Sequence, residues 1–363
     1  MTLPPTRPAP TGTKQGTLLE RAIALVASLP EATVLGIGDL ILDQYRRGQA
    51  IGLSPEAPAV ELLNPGLVET PGGAANVAWN VGHLGGAVRM VGITGNDAEA
   101  GSLRALLAET PGVSLLFVED PSRPTTLKLR FYHKQFQLLR VNQELRDGIR
   151  PEVAAQCREI ILRNVSGCGA VFVEDYGKGL VTPALVETLQ ELRRSHPALP
   201  VVFDPKVGNH HVYRAGMCTL MKPNWQEACQ LVDADPDRAQ RSDVIRALSK
   251  KYDCDVLITL GGEGVVLFER TAETETLVPT RPREAFDIAG AGDTTLAVIT
   301  LVLAVGGSLL EAAVLANLAG GIVVEKSGTA YVTPDELVAE LRHPKTKAIL
   351  EHLEAKFRVV VTD

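Results

Sequence analysis

The stretch Asp287-Ile288-Ala289-Gly290-Ala291-Gly292-Asp293-Thr294-Thr295 decides how this chain is read. Small residues form a turn, an aspartate ends it, and an uncharged apolar run to Leu310 follows. The start of a helix carries N–H groups with no helical partner, and glycine and alanine let a ligand approach the backbone closely. Such a turn makes an anion hole. Asp293 at its end can take a proton from a hydroxyl lying beside the anion. Phosphoryl transfer from a nucleotide to an alcohol needs that pairing. A tight turn capped by an aspartate uses the same residues, so the rest of the chain must choose between the two.

Outward from this stretch, short apolar runs alternate with helical patterns. Strands are expected at Val34–Ile37, Val88–Ile93, Ala170–Val173, Val201–Phe203, Thr219–Met221, Val256–Leu260 and Val265–Phe268. Helices are expected between them, and at Ala291–Val305, Leu309–Lys326 and Pro334–Leu341. Continuous apolar strands alternating with helices predict an α/β fold, with a parallel-dominated sheet covered on both faces. Two segments, near 44–69 and 115–142, break the pattern with Pro, Gly and a period-two alternation. They read as a small β-flap over one end of the sheet, which would offer an edge or face to a second copy of the chain. The organisation expected is a flexible tail over 1–16, one domain over 17–342 and a C-terminal extension over 343–363.

Polar groups cluster just after the expected strands, where open α/β sheets bind ligands. Asp39 follows Gly36-Ile37-Gly38 and could accept hydrogen bonds from sugar hydroxyls; a turn cap is the plainer reading. Gly72-Gly73-Ala74-Ala75-Asn76 enters a helix, either as a ligand-contacting turn or as a plain glycine turn. Three later strand ends carry Glu174-Asp175-Tyr176-Gly177-Lys178, Asp204-Pro205-Lys206 and Lys222-Pro223-Asn224-Trp225-Gln226-Glu227. One such cluster is ordinarily a solvated loop, but three with carboxylates and lysines mixed suit Mg²⁺ and phosphates. Asn224 and Glu227 share a face at a helix start. Thr259-Leu260-Gly261-Gly262-Glu263-Gly264 could meet a nucleotide phosphate through its amides, turn into a hairpin, or do both.

Composition narrows the function classes. Of 363 residues, 45% are apolar and only 4% aromatic, and the net charge is −7. Without a basic stripe or stacking platforms, nucleic acid and anionic membranes are not expected partners. The five cysteines are scattered with no C-x-x-C pair, which suits buried thiols in a reducing cytoplasm. The run Thr294–Leu310 is too short for a membrane span and reads as a buried helix. A dinucleotide fingerprint fails because the position that needs glycine is Thr295, and no P-loop occurs.

Together these residues resemble the ribokinase-like (PfkB type) sugar kinases over roughly Thr33 to Arg342. The amino-terminal signature is Gly72 to Asn76 and the carboxy-terminal one Asp287 to Asp293, with Asn224–Glu227 between them. Within the family the chain is similar to the kinases of D-glycero-β-D-manno-heptose 7-phosphate, which make heptose 1,7-bisphosphate for bacterial lipopolysaccharide. That likeness rests on Gly38-Asp39-Leu40-Ile41-Leu42-Asp43-Gln44-Tyr45, Ser54-Pro55-Glu56-Ala57-Pro58, Asp175-Tyr176-Gly177-Lys178-Gly179 and Asp204-Pro205-Lys206. Some relatives carry a nucleotidyltransferase domain after the kinase; with no H-x-G-H, this chain is expected to be a stand-alone kinase. Ile288-Ala289 stands where the family has valine-threonine.

The resemblance implies ATP and Mg²⁺ as cofactors, and Asp293 as catalytic base, kept ionised by its helix N-terminus. It also implies an anion hole from the amides of Ala289, Gly290, Ala291 and Gly292. Asp39, Asp43, Gly72, Gly73, Asn76 and Asp175 are expected at the sugar. Asn224 and Glu227 are expected to organise the Mg²⁺, with Glu227 the metal residue. Thr259, Gly261, Gly262, Gly264 and Asn317 are expected at the nucleotide. Lys178, Lys206, Arg130 and Arg140 are the candidate cations for the distal phosphate of a small sugar phosphate, although a solvated flap face would account for the arginines equally. Homodimerisation through the flap and a cytoplasmic location complete the expectations. Another sugar, sugar phosphate or nucleoside as acceptor, or a non-catalytic ligand sensor, stays open.

Overall fold

The computed structural model describes residues 16–281, 286–326 and 328–360; the tail expected over 1–16 lies outside them except for Gly16. The described chain runs α1 (Leu18–Ser28), β1 (Thr33–Gly38), β2 (Leu40–Leu53), β3 (Val60–Gly73), α2 (Ala74–His83), β4 (Ala87–Thr94), α3 (Ala98–Ala108) and β5 (Val113–Glu119). It continues through β6 (Thr126–His133), β7 (Phe136–Gln143), α4 (Pro151–Asn164), β8 (Ala170–Glu174), α5 (Pro183–Ser195), β9 (Val201–Asp204), β10 (Leu220–Met221) and α6 (Trp225–Leu231). Then come α7 (Arg241–Tyr252), β11 (Asp255–Thr259), β12 (Gly264–Glu269), β13 (Thr274–Pro279), α8 (Ala291–Ala304), α9 (Leu309–Val323), α10 (Pro334–Leu341) and α11 (Pro344–Val360).

Nine strands form the main sheet in the order β13-β12-β11-β10-β9-β8-β1-β4-β5. From β11 to β5 every pairing is parallel; β12 and β13 close the edge antiparallel. Strand residues alternate between two buried clusters, one on each face. Val34, Phe172 and Val202 point into one, and Leu35, Val171, Val173 and Phe203 into the other. That alternation explains why these strands read as unbroken apolar runs: both faces are covered. Helices α8 and α9 are apolar nearly all round because they are buried nearly all round. The uncharged stretch that ends at Leu310 is therefore core, broken at Gly306 (φ 85°). Among the described residues no helix is long and apolar enough to cross a membrane.

The flap is a separate four-stranded sheet, β3-β2-β6-β7. Its extent differs from the expected one. Residues 115–119 belong to β5, the edge of the main sheet, in parallel register with β4 (Leu116 opposite Val91). The first flap segment is longer than 44–69, running through the whole of β2 and β3. Their alternation is interrupted by register shifts near Arg47 and Ala50, which hid the strands from a period-two reading. Helix α1 was not anticipated, although Thr17 and Glu20 form a reciprocal capping box at its start. Nor was α11, which occupies the C-terminal extension and buries Leu350 and Leu353 against the core.

Candidate active site

Every polar cluster singled out after a strand of the main sheet lies at the carboxyl edge of its parallel strands. Gly290 is the N-cap of α8 with φ 81°, a left-handed conformation that suits glycine. A Cβ there would meet Asn76 Nδ2 at 2.8 Å, so the turn also needs glycine for space. Gly290, Ala291, Gly292 and Asp293 all line a cavity of about 640 Å³. Thr294 N donates to Gly290 O at 2.9 Å, the first bond of the helix, so the amides of Gly292 and Asp293 precede the ladder. The Ala289 amide is not part of the hole: it donates to Asp287 Oδ1 at 2.9 Å.

Asp293 is only 4% exposed. Asn76 Nδ2 donates to its Oδ2 at 2.7 Å and Tyr176 Oη to its Oδ1 at 2.9 Å. Burial pushes this carboxyl above the usual aspartate range, while both donors and the charges of Lys222 and Lys128 pull it back. Asn80 donates from Nδ2 to Asn76 Oδ1 at 3.2 Å, and its Oδ1 accepts from Thr294 Oγ1 at 3.0 Å. Asn76 is fully buried and sits beneath the base, holding the carboxylate where sequence reasoning placed it at the sugar.

Two more aspartates have their carboxylates engaged by the protein itself. Asp39 Oδ2 accepts from the backbone amides of Tyr176 and Lys178, each at 2.9 Å, and Oδ1 from Leu180 at 3.2 Å. It anchors the loop that carries Tyr176. Burial raises its pKa above the usual range and the three amides lower it. Asp175 turns away from the cavity and accepts from Tyr213 Oη at 2.6 Å, Gly177 N at 2.7 Å and Asn209 Nδ2. Burial and the Asp39 charge push it up to about 6.

The flap supplies a polar inner face. Register places Asp43 opposite Lys128, Tyr45 opposite Arg130 and Arg130 opposite Arg140, so these side chains share one face. Asp43 pairs with Arg130. A side chain at Gly72 would collide with the Asp43 carboxylate, and one at Gly73 (φ 57°) with the Asp39 carbonyl. The Lys128 ammonium lies 4.6 Å from the centre of the Tyr176 ring. Burial lowers its pKa; Asp43 and Asp293 raise it, so it sits in their field. The cations expected at a distal phosphate separate: Lys178 pairs with Glu144 at 2.8 Å, and Lys206 lies 3.5 Å from Glu227 on the far cavity wall. Arg140 is exposed and donates to Asn142 at 2.9 Å.

On that far wall, Asn224 caps α6. Its Oδ1 accepts from Glu227 N at 2.9 Å, and Glu227 Oε2 accepts from Asn224 N at 3.2 Å. The spacing read as a ligand pair is also a capping box. Both residues line the cavity, with Thr259, Gly261, Gly262 and Gly264. The glycine segment is at once the β11–β12 turn and cavity wall, so both readings of it hold. Asn317 on α9 donates to the carbonyls of Val278 and Pro279 at 3.3 and 3.1 Å, holding β13 to the helix at the cavity's end. Among the described residues, no group of three His, Cys, Asp or Glu is arranged to hold a metal ion. The donor set of Glu227 and Asn224 suits a hard cation that keeps most of its waters and arrives with phosphates.

Sequence reasoning quoted Tyr176, Glu174, Asp204 and Lys222 within clusters but gave none of them a role, and it passed over Lys128. Lys222 Nζ bonds Asp204 at 2.6 Å with almost no solvent exposure. Burial, then Glu227 and Asp293, push Asp204 up to about 7 against the pull of Lys222. Burial works against the ammonium, but Asp204 and Glu174 beside it keep it above its ordinary value. A strand-end position was the available signal; partnering across strands was not visible.

A model of the pfkB family of carbohydrate kinases matches residues 32–336. The bifunctional protein HldE of Granulibacter bethesdensis is 36% identical over 315 residues, 85% of this chain and 64% of its own length. Its namesake in Klebsiella pneumoniae is 36% identical over 319 residues, 87% of this chain and 65% of its own. The chain therefore spans somewhat under two thirds of those relatives. Escherichia coli phosphofructokinase-2, solved with substrates and products, superposes with a TM-score of 0.67 at 22% identity, over 89% of this chain and 99% of its own. Arabidopsis thaliana ribokinase, solved with ribose and ATP, gives 0.65 at 17%, over 86% and 99%. These two likenesses show a ribokinase-like fold.

Proposed function

This chain belongs to the pfkB family of carbohydrate kinases, and from that premise we propose that it transfers the γ-phosphoryl group of ATP to the anomeric hydroxyl of D-glycero-D-manno-heptose 7-phosphate. The observation that carries the proposal is Asp293, held by Asn76 and Tyr176 at the mouth of the α8 anion hole. The nucleotide lies along the cavity from Asn317 to Gly292, with its phosphates towards Lys222 and the first turn of α8. The sugar lies between Asp293 and the flap's inner face. Asp293 accepts the hydroxyl proton as the phosphoryl group moves. The amides of Gly292 and Asp293 meet the charge that develops, at no reorganisation cost. Glu227, with Asn224, would hold Mg²⁺ through its waters, and the ion would neutralise phosphate charge when bound.

The heptose assignment rests on the motif resemblance and on the similarity to HldE proteins. For the 7-phosphate, Lys128 now stands ahead of the cations first considered, with Arg130 and Arg140 beside it on the flap. Its ammonium lies over the Tyr176 ring, whose hydroxyl holds the base, with no carboxylate of its own in contact among the described residues. The flap also exposes Leu53, Leu67, Phe136, Leu139 and Val141, enough apolar surface to propose a homodimer formed through it.

The test is ADP release from Mg-ATP with heptose 7-phosphate, unphosphorylated heptose, ribose, fructose 6-phosphate and adenosine. Turnover confined to heptose 7-phosphate, and reduced about 10²- to 10⁴-fold in Asp293→Asn, is expected. Equal turnover with ribose or fructose 6-phosphate would overturn the acceptor, and an undiminished Asp293→Asn would overturn the base.

A further inference from the structure

Three adjacent strands end in charged groups on the cavity floor: Glu174 on β8, Asp204 on β9 and Lys222 just after β10. Glu174 and Asp204 are direct neighbours in the parallel register. Asp293 faces the same space from α8. Asp293 has two donors and Asp204 has the Lys222 ammonium. Glu174 is 3% exposed, and its Oε2 has no hydrogen-bond partner. The Lys222 ammonium is thus taken up by Asp204, and Glu174 is left without a bonded partner at a place where a polyphosphate is to bind.

A buried, unpaired carboxylate would cost several kcal/mol and would repel the phosphates; a proton removes both penalties. The surroundings favour that proton. Burial, Asp204, Asp293 and Asp175 hold the Glu174 carboxyl well above the usual range against the pull of Lys222. A carboxylic acid kept neutral by its site is an effective hydrogen-bond donor. Glu174 lines the same cavity as Lys222, Gly292 and Asp293, where the terminal phosphate is proposed to lie, so an oxygen of that phosphate is the ligand atom it can meet.

We propose that Glu174 contacts the nucleotide as a neutral acid, donating its O–H to an oxygen of the terminal phosphate. This rests on the kinase reading of the cavity and adds to it a contact that distinguishes the triphosphate from the diphosphate product.

The test is calorimetric binding of Mg-AMP-PNP and of Mg-ADP to the full chain, as wild type, Glu174→Gln and Glu174→Ala, with thermal melts to confirm folding. Gln keeps the shape and an N–H donor; Ala keeps neither. A hydrogen bond to a charged group accounts for about ten-fold or more in affinity. Expected are AMP-PNP affinities within about three-fold for wild type and Glu174→Gln, and about ten-fold weaker for Glu174→Ala, with ADP bound alike by all three. Glu174→Gln as weak as Glu174→Ala, and restored by raised Mg²⁺, would overturn the proposal in favour of an ionised group serving a cation. Equal AMP-PNP binding in all three, or equal weakening towards both nucleotides, would overturn it as well. Wild type that binds neither nucleotide would overturn the kinase reading itself, and the proposal with it.

Discussion

Asp39→Asn separates two tasks that sequence alone could not tell apart. The wild-type carboxylate takes three backbone N–H groups, from Tyr176 and Lys178 on one oxygen and from Leu180 on the other. An amide has one oxygen. Set towards Tyr176 and Lys178, where it keeps two bonds, it turns an NH₂ group on the Leu180 amide; one charge-assisted bond is lost and the other two lose their charge assistance. At about 1.5–3 kcal/mol for the lost bond and about 1 kcal/mol for each weakened one, the loss is about 3–5 kcal/mol. Relief of the carboxylate's burial, which already raises its pKa, offsets part of this. A net cost of about 2–4 kcal/mol remains, or roughly 3–6 °C in Tm for a domain of this size. The hold on Tyr176 also weakens, so kcat falls with stability. Thermal melts, hydrogen exchange at the amides of residues 176–180 and steady-state kinetics read all three effects. An unchanged Tm with a raised KM for sugar alone would refute the reasoning and return Asp39 to the sugar.

Tyr176→Phe keeps the ring beneath Lys128 but removes a donor that pulls the Asp293 carboxyl down from the level set by burial. Because the base works ionised, the rate falls as pH drops through its pKa; the acid limb of the kcat profile should move to higher pH, and superposable profiles would remove Tyr176 from the role. Lys128→Met should raise KM for a phosphorylated sugar far more than for ATP, and an equal effect on both would place the lysine at the nucleotide. Leu139→Asp on the exposed flap face should convert a dimer to monomer in sedimentation; a wild-type monomer at working concentration would end the dimer proposal.

Much of the framework was readable because its physics is local. The seven expected strands appear as β1, β4 and β8 to β12, since strands covered on both faces must be apolar throughout. Position along the sheet followed too: polar runs after Val173, Phe203 and Met221 could only gather at the carboxyl edge. The flap's limits were less readable. Register shifts break the alternation of β2, and β5 lies on a sheet edge, where the apolar pattern is weaker.

The sequence by itself determined the fold class and the Gly290–Asp293 turn at the head of α8. A left-handed glycine, small residues and an acid in the first helical turn are constraints between neighbours in the chain. What each carboxyl group does was decided only by tertiary structure. Asp39, Asp175, Asp204 and Asp293 each follow a strand or turn and look alike in sequence. Their partners come from residues far away in the chain: Tyr176 amide for Asp39, Tyr213 for Asp175, Lys222 for Asp204, Asn76 for Asp293. A carboxylate's role is set by which donors reach it and how much water it loses, and both are fixed only when distant segments pack together.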